Sequence, residues 1–211
     1  MKTSNCRIGI LATGIPAVLS AVDQGVETVN DLVARIKSKD DSIRGPAWQT
    51  AGSAGAPAVR PLAGVMMDPD FETARAAKRA LYRIVRHAGR PGAKHEAKAV
   101  SGELVLLLGS APSRVRHEAV WMLSEIAEEK AVAAMAALLA DPEVREDARC
   151  ALMRLSGRKV TSAFESAFAN APEECKYALA EALRERGIKV NGYPGQKLVP
   201  SRKTTVGEAT G

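Results

Sequence analysis

The sequence predicts an all-α fold, a stack of about five helix pairs, and three observations carry that prediction. One motif returns along the chain, each copy but the last is followed by a second apolar stretch with helical spacing, and no alternating strand pattern of useful length occurs. Composition agrees: of 211 residues 46% are hydrophobic but only 4% aromatic, so Ala, Leu and Val must do the packing. Small residues favour close helix-on-helix contact over a sheet sandwich, which recruits aromatic and β-branched side chains. A single amphipathic pair cannot bury both its faces, so the copies must stack on one another.

Residues 1–27 form an apolar opening segment. Lys2 and Arg7 precede the run IGILATGIPAVLSAV, which is too short for a membrane span. With small residues at Ser20 and Ala21 it reads either as a secretory signal peptide or as a capping helix interrupted at Gly14 and Pro16. The cytoplasm is slightly favoured over export.

Residues 28–187 hold the repeats. The copies start as DSIRGPAWQTAGSA (41–54), FETARAAKRALYRI (71–84), SRVRHEAVWMLSEI (113–126), DPEVREDARCALMRL (141–155) and EECKYALAEALRER (173–186). Their columns stand 30, 42, 29 and 31 residues apart, and the longer gap holds the loop RHAGRPGAKHE. Ile43-Arg44, Val115-Arg116 and Val144-Arg145 share one column pair, and Ala47, Ala77, Ala119 and Ala148 share the next. The second helices carry Leu62, Val65 and Met66, then Val100, Leu104 and Leu108, then Val132, Met135 and Leu139, then Val160, Phe164 and Phe168. Each shows the i, i+3, i+4 recurrence of a helix with one buried face. Asp68-Pro69 and Asp141-Pro142 suit a helix cap followed by a first helical position, where a missing N–H costs nothing. The remainder, 188–211, is broken by Gly and Pro and predicts an extended, partly disordered tail, with Val190, Tyr193 and Leu198 as candidates to cover the last repeat.

The pattern D-P-x-V-R-x-x-A-x-x-A-L, clearest in DPEVREDARCAL, resembles the HEAT repeat, especially the bacterial HEAT-like kind noted in phycobilin lyases. The resemblance implies a right-handed α-solenoid, an α-α superhelix. It also implies a ladder of the motif Asp and Arg between neighbouring repeats, here Asp41 with Arg44 and Asp141 with Arg145. About function it implies little, since one fold hosts many activities.

Charge is the informative departure. The net charge is +6, and between Thr73 and His95 no acidic residue occurs while Arg75, Lys78, Arg79, Arg83, Arg86, Arg90 and Lys94 all do. At 100° per residue, Arg75, Arg79, Arg83 and Arg86 share one helix face and Ala77, Ala80, Leu81 and Ile84 the other. The stripe reads as a solvated helix face, as a docking surface for an acidic protein or anionic surface, or as a nucleic-acid contact. Against the last stand the lack of interleaved aromatics for stacking bases and of a helix-turn-helix or zinc-finger signature. Trp121 lies opposite the apolar column of its helix, in the column of Arg79, and is a candidate interaction hot spot. Trp48, next to the core column, reads as a packing residue. Ala133, Ala134, Ala136, Ala137 and Ala140 predict a small, neutral surface on one second helix.

Chemistry is sparse. Cys6, Cys150 and Cys175 have no zinc spacing, and His87, His95 and His117 lack ligand partners at metal spacing. Neither G-x-S-x-G nor H-E-x-x-H occurs, and Ser156-Gly157-Arg158-Lys159 lacks the glycine spacing of a phosphate loop. The expectation is a non-enzymatic scaffold or adaptor with no cofactor. It would bind another protein through Arg75, Arg79, Arg83, Arg86, Arg90 and Trp121 or through the alanine surface. The alternative is a nucleic-acid-binding protein, DNA-glycosylase-like if an enzyme, using the stripe at residues 75–94.

Overall fold

A computed structural model describes residues 29–126 and 129–195; the apolar opening run and the end of the tail, Leu198 included, lie outside the described residues. Among the described residues the chain is helical with no strand, the all-α repeat class that the pattern predicts. It divides into two compact units, with the boundary between Ile126 and Ala127.

The first unit holds α1 (residues 29–36), α2 (Asp41–Thr50), α3 (Val59–Val65), α4 (Phe71–Ala88), α5 (Lys94–Ser110) and α6 (Ser113–Ile126). Helices α2, α4 and α6 are the first helices of their repeats; α3 and α5 are the second. Helix α4 is the hub and packs against α2, α3, α5 and α6. Its predicted stripe of Ala77, Ala80, Leu81 and Ile84 is at most 1% exposed, and Ala74, Ala76, Val85 and Ala88 widen it. So wide an apolar arc is what a helix with neighbours on three sides requires. Buried Ala47 and Ala51 on the α2 side and Ala119 on α6 let the backbones approach closely.

Two aspartates set where the first helices begin. Asp40 caps α2 by accepting the N–H of Ser42 at 2.8 Å, and Asp70 caps α4 by accepting that of Thr73 at 2.7 Å. The sequence placed the second start at Asp68-Pro69, and the structure moves it two residues on. Asp68 accepts the N–H of Asp70 at 3.0 Å and so shapes the turn that precedes the cap. Ile43 is also displaced from its expected column: it is 44% exposed, where Val115 and Val144 are buried. Helix α2 turns Arg44 and Ala47 inward instead, carries Pro46 within it, and passes into 3₁₀ turns at Ala51–Ala54 and Ala56–Ala58.

Arg44 is only 7% exposed, pairs with Asp41 and donates to the Ser38 carbonyl at 2.9 Å. Its charge also reaches Asp70, the cap of the next repeat. The Asp70 carboxyl is held below its usual range first by the backbone and side-chain hydrogen bonds of Thr73, then by Arg44 and Lys39. Such a carboxylate contributes stability that is present above its unfolded pKa and is lost as pH falls through the lower folded one. Asp70→Ala should therefore lower the melting temperature at neutral pH, with the deficit shrinking as the wild type is acidified through that range. A deficit that is the same at every pH would contradict an ionic cap.

The second unit holds α7 (Glu129–Ala137), running on into the 3₁₀ turn Leu138–Ala140, then α8 (Arg145–Met153), α9 (Arg158–Asn170) and α10 (Glu173–Glu185). Helix α9 packs on α7 and α10, while α8 packs on α7 and the turn. The core is Val132, Met135, Val144, Ala148, Leu152, Val160, Phe164, Leu179 and Leu183. Asp141 accepts the N–H of Glu143 at 2.9 Å and opens the turn before α8, but the helix itself starts at Arg145 with Val144 as its N-cap and no side-chain cap, three residues later than the Asp-Pro pair predicts. Arg145 donates to the sulfur of Cys175 one repeat on; Cys150 and Cys175 are both free thiols. Beyond α10, Arg186 donates to the carbonyls of Leu152 and Leu155 at 3.0 and 2.6 Å and lies 5.3 Å over the Phe164 ring. Tyr193 then packs edge-on against Phe168 and Tyr177, with centroids 5.4 and 5.2 Å away, and its carbonyl accepts from Arg184.

Candidate functional site

The first unit carries a cleft of about 650 Å³ on the face of its first helices. Helix α4 supplies most of the wall. Spacing of three and four residues brings Arg75, Arg79, Arg83 and Arg86 to one edge, and Lys78 and Tyr82 follow on the adjoining line. From α2 comes Trp48, from α6 come Arg114 and Glu118, and Met66 and Phe71 close the end near the start of α4.

The cations fall into two groups. Arg75 pairs with Glu72 at 2.6 Å, Lys78 with Glu118, and Arg86 with Glu125 at 3.6 Å. Arg79 and Arg83 behave differently. Their guanidinium carbons sit 5.0 and 5.7 Å from the centroid of the Trp48 ring. Neither they nor Arg114 have a carboxylate partner among the described residues, and all three are exposed. Of the excess charge seen along the sequence, Arg79 and Arg83 remain over the Trp48 indole, and Arg114 of α6 lines the same cleft.

Glu118 is the polar floor. It accepts from Lys78 and, at 3.0 Å, from the hydroxyl of Tyr82. Burial, and after it the negative charge of Glu118, pushes the Tyr82 phenol well above its ordinary pKa, so it stays a neutral donor. Phe71 is 67% exposed and lies under Arg75, whose guanidinium is 5.7 Å from its centroid.

Of the residues singled out in the sequence, Arg75, Arg79, Arg83 and Arg86 line this cleft. Arg90 does not: it lies past the end of α4 and holds both oxygens of Glu96, at 2.6 and 2.7 Å. Trp121 is half-buried on α6 and is not part of the wall; its carbonyl accepts from Ser124. The indole that meets the arginines is Trp48, which the sequence reading assigned to packing. A signal for it existed, because a shift of 30 puts Trp48 in the column of Lys78, on the same face of the neighbouring copy. The carboxylates of α6 could not be placed the same way, since they stand about forty residues away across the inserted loop.

The alanine surface lies in the second unit. Ala133, Ala136, Ala137 and Ala140 line a groove of about 420 Å³ with Ala163 and Ala167 of α9. His87 has its Nε2 3.8 Å from Glu96. Among the described residues no cluster of three or more His, Cys, Asp or Glu is placed to hold a metal ion, and no helix is long and apolar enough to cross a membrane.

Helix pairs that repeat at about thirty residues define an α-helical repeat protein. Residues 102–184, from within α5 to α10, match the family model for HEAT repeats. Of the cleft, only Arg114 and Glu118 fall inside that match. No curated protein matches the chain. Among solved structures, the chain is similar to an engineered protein from a structural genomics consortium, 23% identical over 80% of this chain and 83% of that one, with a TM-score of 0.38. It is similar also to a designed armadillo repeat protein, 18% identical over 78% and 85% with a TM-score of 0.39. A third is a designed armadillo repeat protein in complex with the peptide (KR)4, 18% identical over 75% and 87% with a TM-score of 0.37.

Proposed function

We propose that the protein is a non-enzymatic helical-repeat adaptor that binds another protein, with the cleft of the first unit as its docking surface. One observation carries this reading. Arg79 and Arg83 lie over half-buried Trp48, Arg114 lines the same cleft, none of the three has a carboxylate partner among the described residues, and exposed Phe71 stands at the cleft's end. Planar cations and aromatic rings in one desolvating pocket are the residue types that dominate interface hot spots. Stacked helix pairs supply a broad, rigid surface for such a pocket.

The same geometry weighs against a phosphate backbone. Contact with a duplex needs cations that track successive phosphates. Here the three arginines without carboxylate partners among the described residues line one cleft, beside cations already paired with Glu72, Glu118 and Glu125. The test is capture from a native-host lysate on the immobilised full chain, after nuclease treatment. A protein should be retained by the wild type and lost with the double variant Arg79→Glu/Arg83→Glu. Retention that vanishes with nuclease would assign the cleft to nucleic acid, and equal retention by the variant would remove the cleft from the function.

A further inference from the structure

We infer that the partner presents a short, extended acidic segment with an aromatic or bulky apolar side chain, read by Arg79, Arg83 and Arg114 with Phe71 as the apolar contact. This rests on the adaptor reading and names the chemistry of its partner.

Charge complementarity is the first argument. Three cations without carboxylate partners among the described residues face one cleft, and every other cation in its wall is already paired with a glutamate. The site therefore seeks about three negative charges and no more. A long polyanion running past the patch would meet ion pairs whose carboxylates repel it. A short segment would not.

Spacing is the second. Arg79 and Arg83 are four apart on α4, which puts their Cβ atoms about 5–6 Å apart. In an extended peptide, alternate side chains point the same way roughly 6.5 Å apart. Two carboxylates in an acid-x-acid pattern can thus each face one guanidinium, whose planar fork suits bidentate pairing.

Preorganisation is the third. An exposed arginine normally loses rotamer freedom when it binds. Both guanidiniums here already lie over the indole of Trp48, at 5.0 and 5.7 Å, so part of that ordering precedes the ligand. Exposed Phe71, at the end of the same cleft, leaves a ring face for an apolar side chain. Acid alone would leave that ring unused, which is why the segment is expected to be mixed.

The full ¹⁵N-labelled chain tests this directly, because it contains two tryptophans and so two indole N–H signals, assigned with Trp48→Phe. The probe is a synthetic peptide with three alternating aspartates and one phenylalanine. Comparison probes are the same peptide with asparagines, a short duplex DNA, and vesicles containing an anionic phospholipid. The acidic peptide should shift the Trp48 indole saturably and leave that of Trp121 in place. Calorimetry should give at least tenfold weaker binding for the asparagine peptide and for Arg79→Gln/Arg83→Gln, with affinity falling as salt is added. An acidic peptide that shifts nothing, an asparagine peptide that binds equally well, or DNA or vesicles that bind more tightly would each overturn the inference. Should the double variant lose its dispersed spectrum, Arg114→Gln replaces it, with a loss of at least threefold expected and no loss overturning. If lysate capture still returns a protein that depends on the cleft, while that protein's binding ignores its acidic residues, the adaptor reading survives and this inference falls.

Discussion

Phe164→Ala is expected to cost the second unit about 3–5 kcal/mol, at the upper end for core truncations. Phe164 is fully buried and is one of only three phenylalanines in the chain. Its neighbours explain the size of the effect. A void can be partly closed when long, flexible side chains surround it, and the cost then falls. Here α9 packs on α7 and α10, whose buried residues include Ala131, Ala180 and Ala182, and alanine has no rotamer with which to fill space. The ring also carries the guanidinium of Arg186 on one face at 5.3 Å. That guanidinium closes the end of α8 through the Leu152 and Leu155 carbonyls, and burial already lowers the Arg186 pKa. Removing the ring takes away its stacking surface as well as the packing. Urea denaturation followed by far-ultraviolet circular dichroism measures the loss, and Phe164→Leu should recover most of it. A cost under about 1 kcal/mol, less than a typical core truncation, would mean that Phe164 is not the centre of this core.

How much of this molecule could be read from its residues depended on whether the cause was local. Helical periodicity is local, and the buried columns at Ala77, Leu81 and Ile84 and at Ala148 and Leu152 fall where the repeat predicts them. Capping is nearly local and was misplaced by two residues at α4: Asp68 and Asp70 both flank Pro69, and only the backbone decides which of them meets the N–H of Thr73. Ile43 failed for another reason. Its column was inferred from later copies, but α2 carries Pro46 and ends at Thr50, so its inward face is set by Arg44 and Ala47 instead.

The cleft was legible only in part. Its arginines stood out because residues 73–95 carry seven Lys and Arg and no acidic residue. Which arginines keep an unanswered charge was not legible, because the answering glutamates come from α6 and from the ends of α4 and α5. Charge along a sequence counts what a helix carries. Charge in a site counts what its neighbours leave over. By that second count Arg75, Arg86 and Arg90 matter less than the sequence suggested, while Trp48 and Arg114 matter more.

Ile84→Ala should destabilise the first unit by about 2–5 kcal/mol, and Ile84→Val by only about 0.5–1.5 kcal/mol. Ile84 is fully buried on α4, which packs against four other helices of this unit. A methylene lost at a hub is felt by several interfaces at once, each close-packed against alanine-rich neighbours. Both tryptophans lie in the first unit, so their emission reports its unfolding in particular. The tryptophan transition in urea should move to lower denaturant in Ile84→Ala with its slope unchanged, as a stability change requires. A midpoint that stays put would mean α4 is not the element that holds this unit together. The cleft would then lose its rigid wall, because Arg79 and Arg83 point outward from the same helix whose inner face Ile84 anchors.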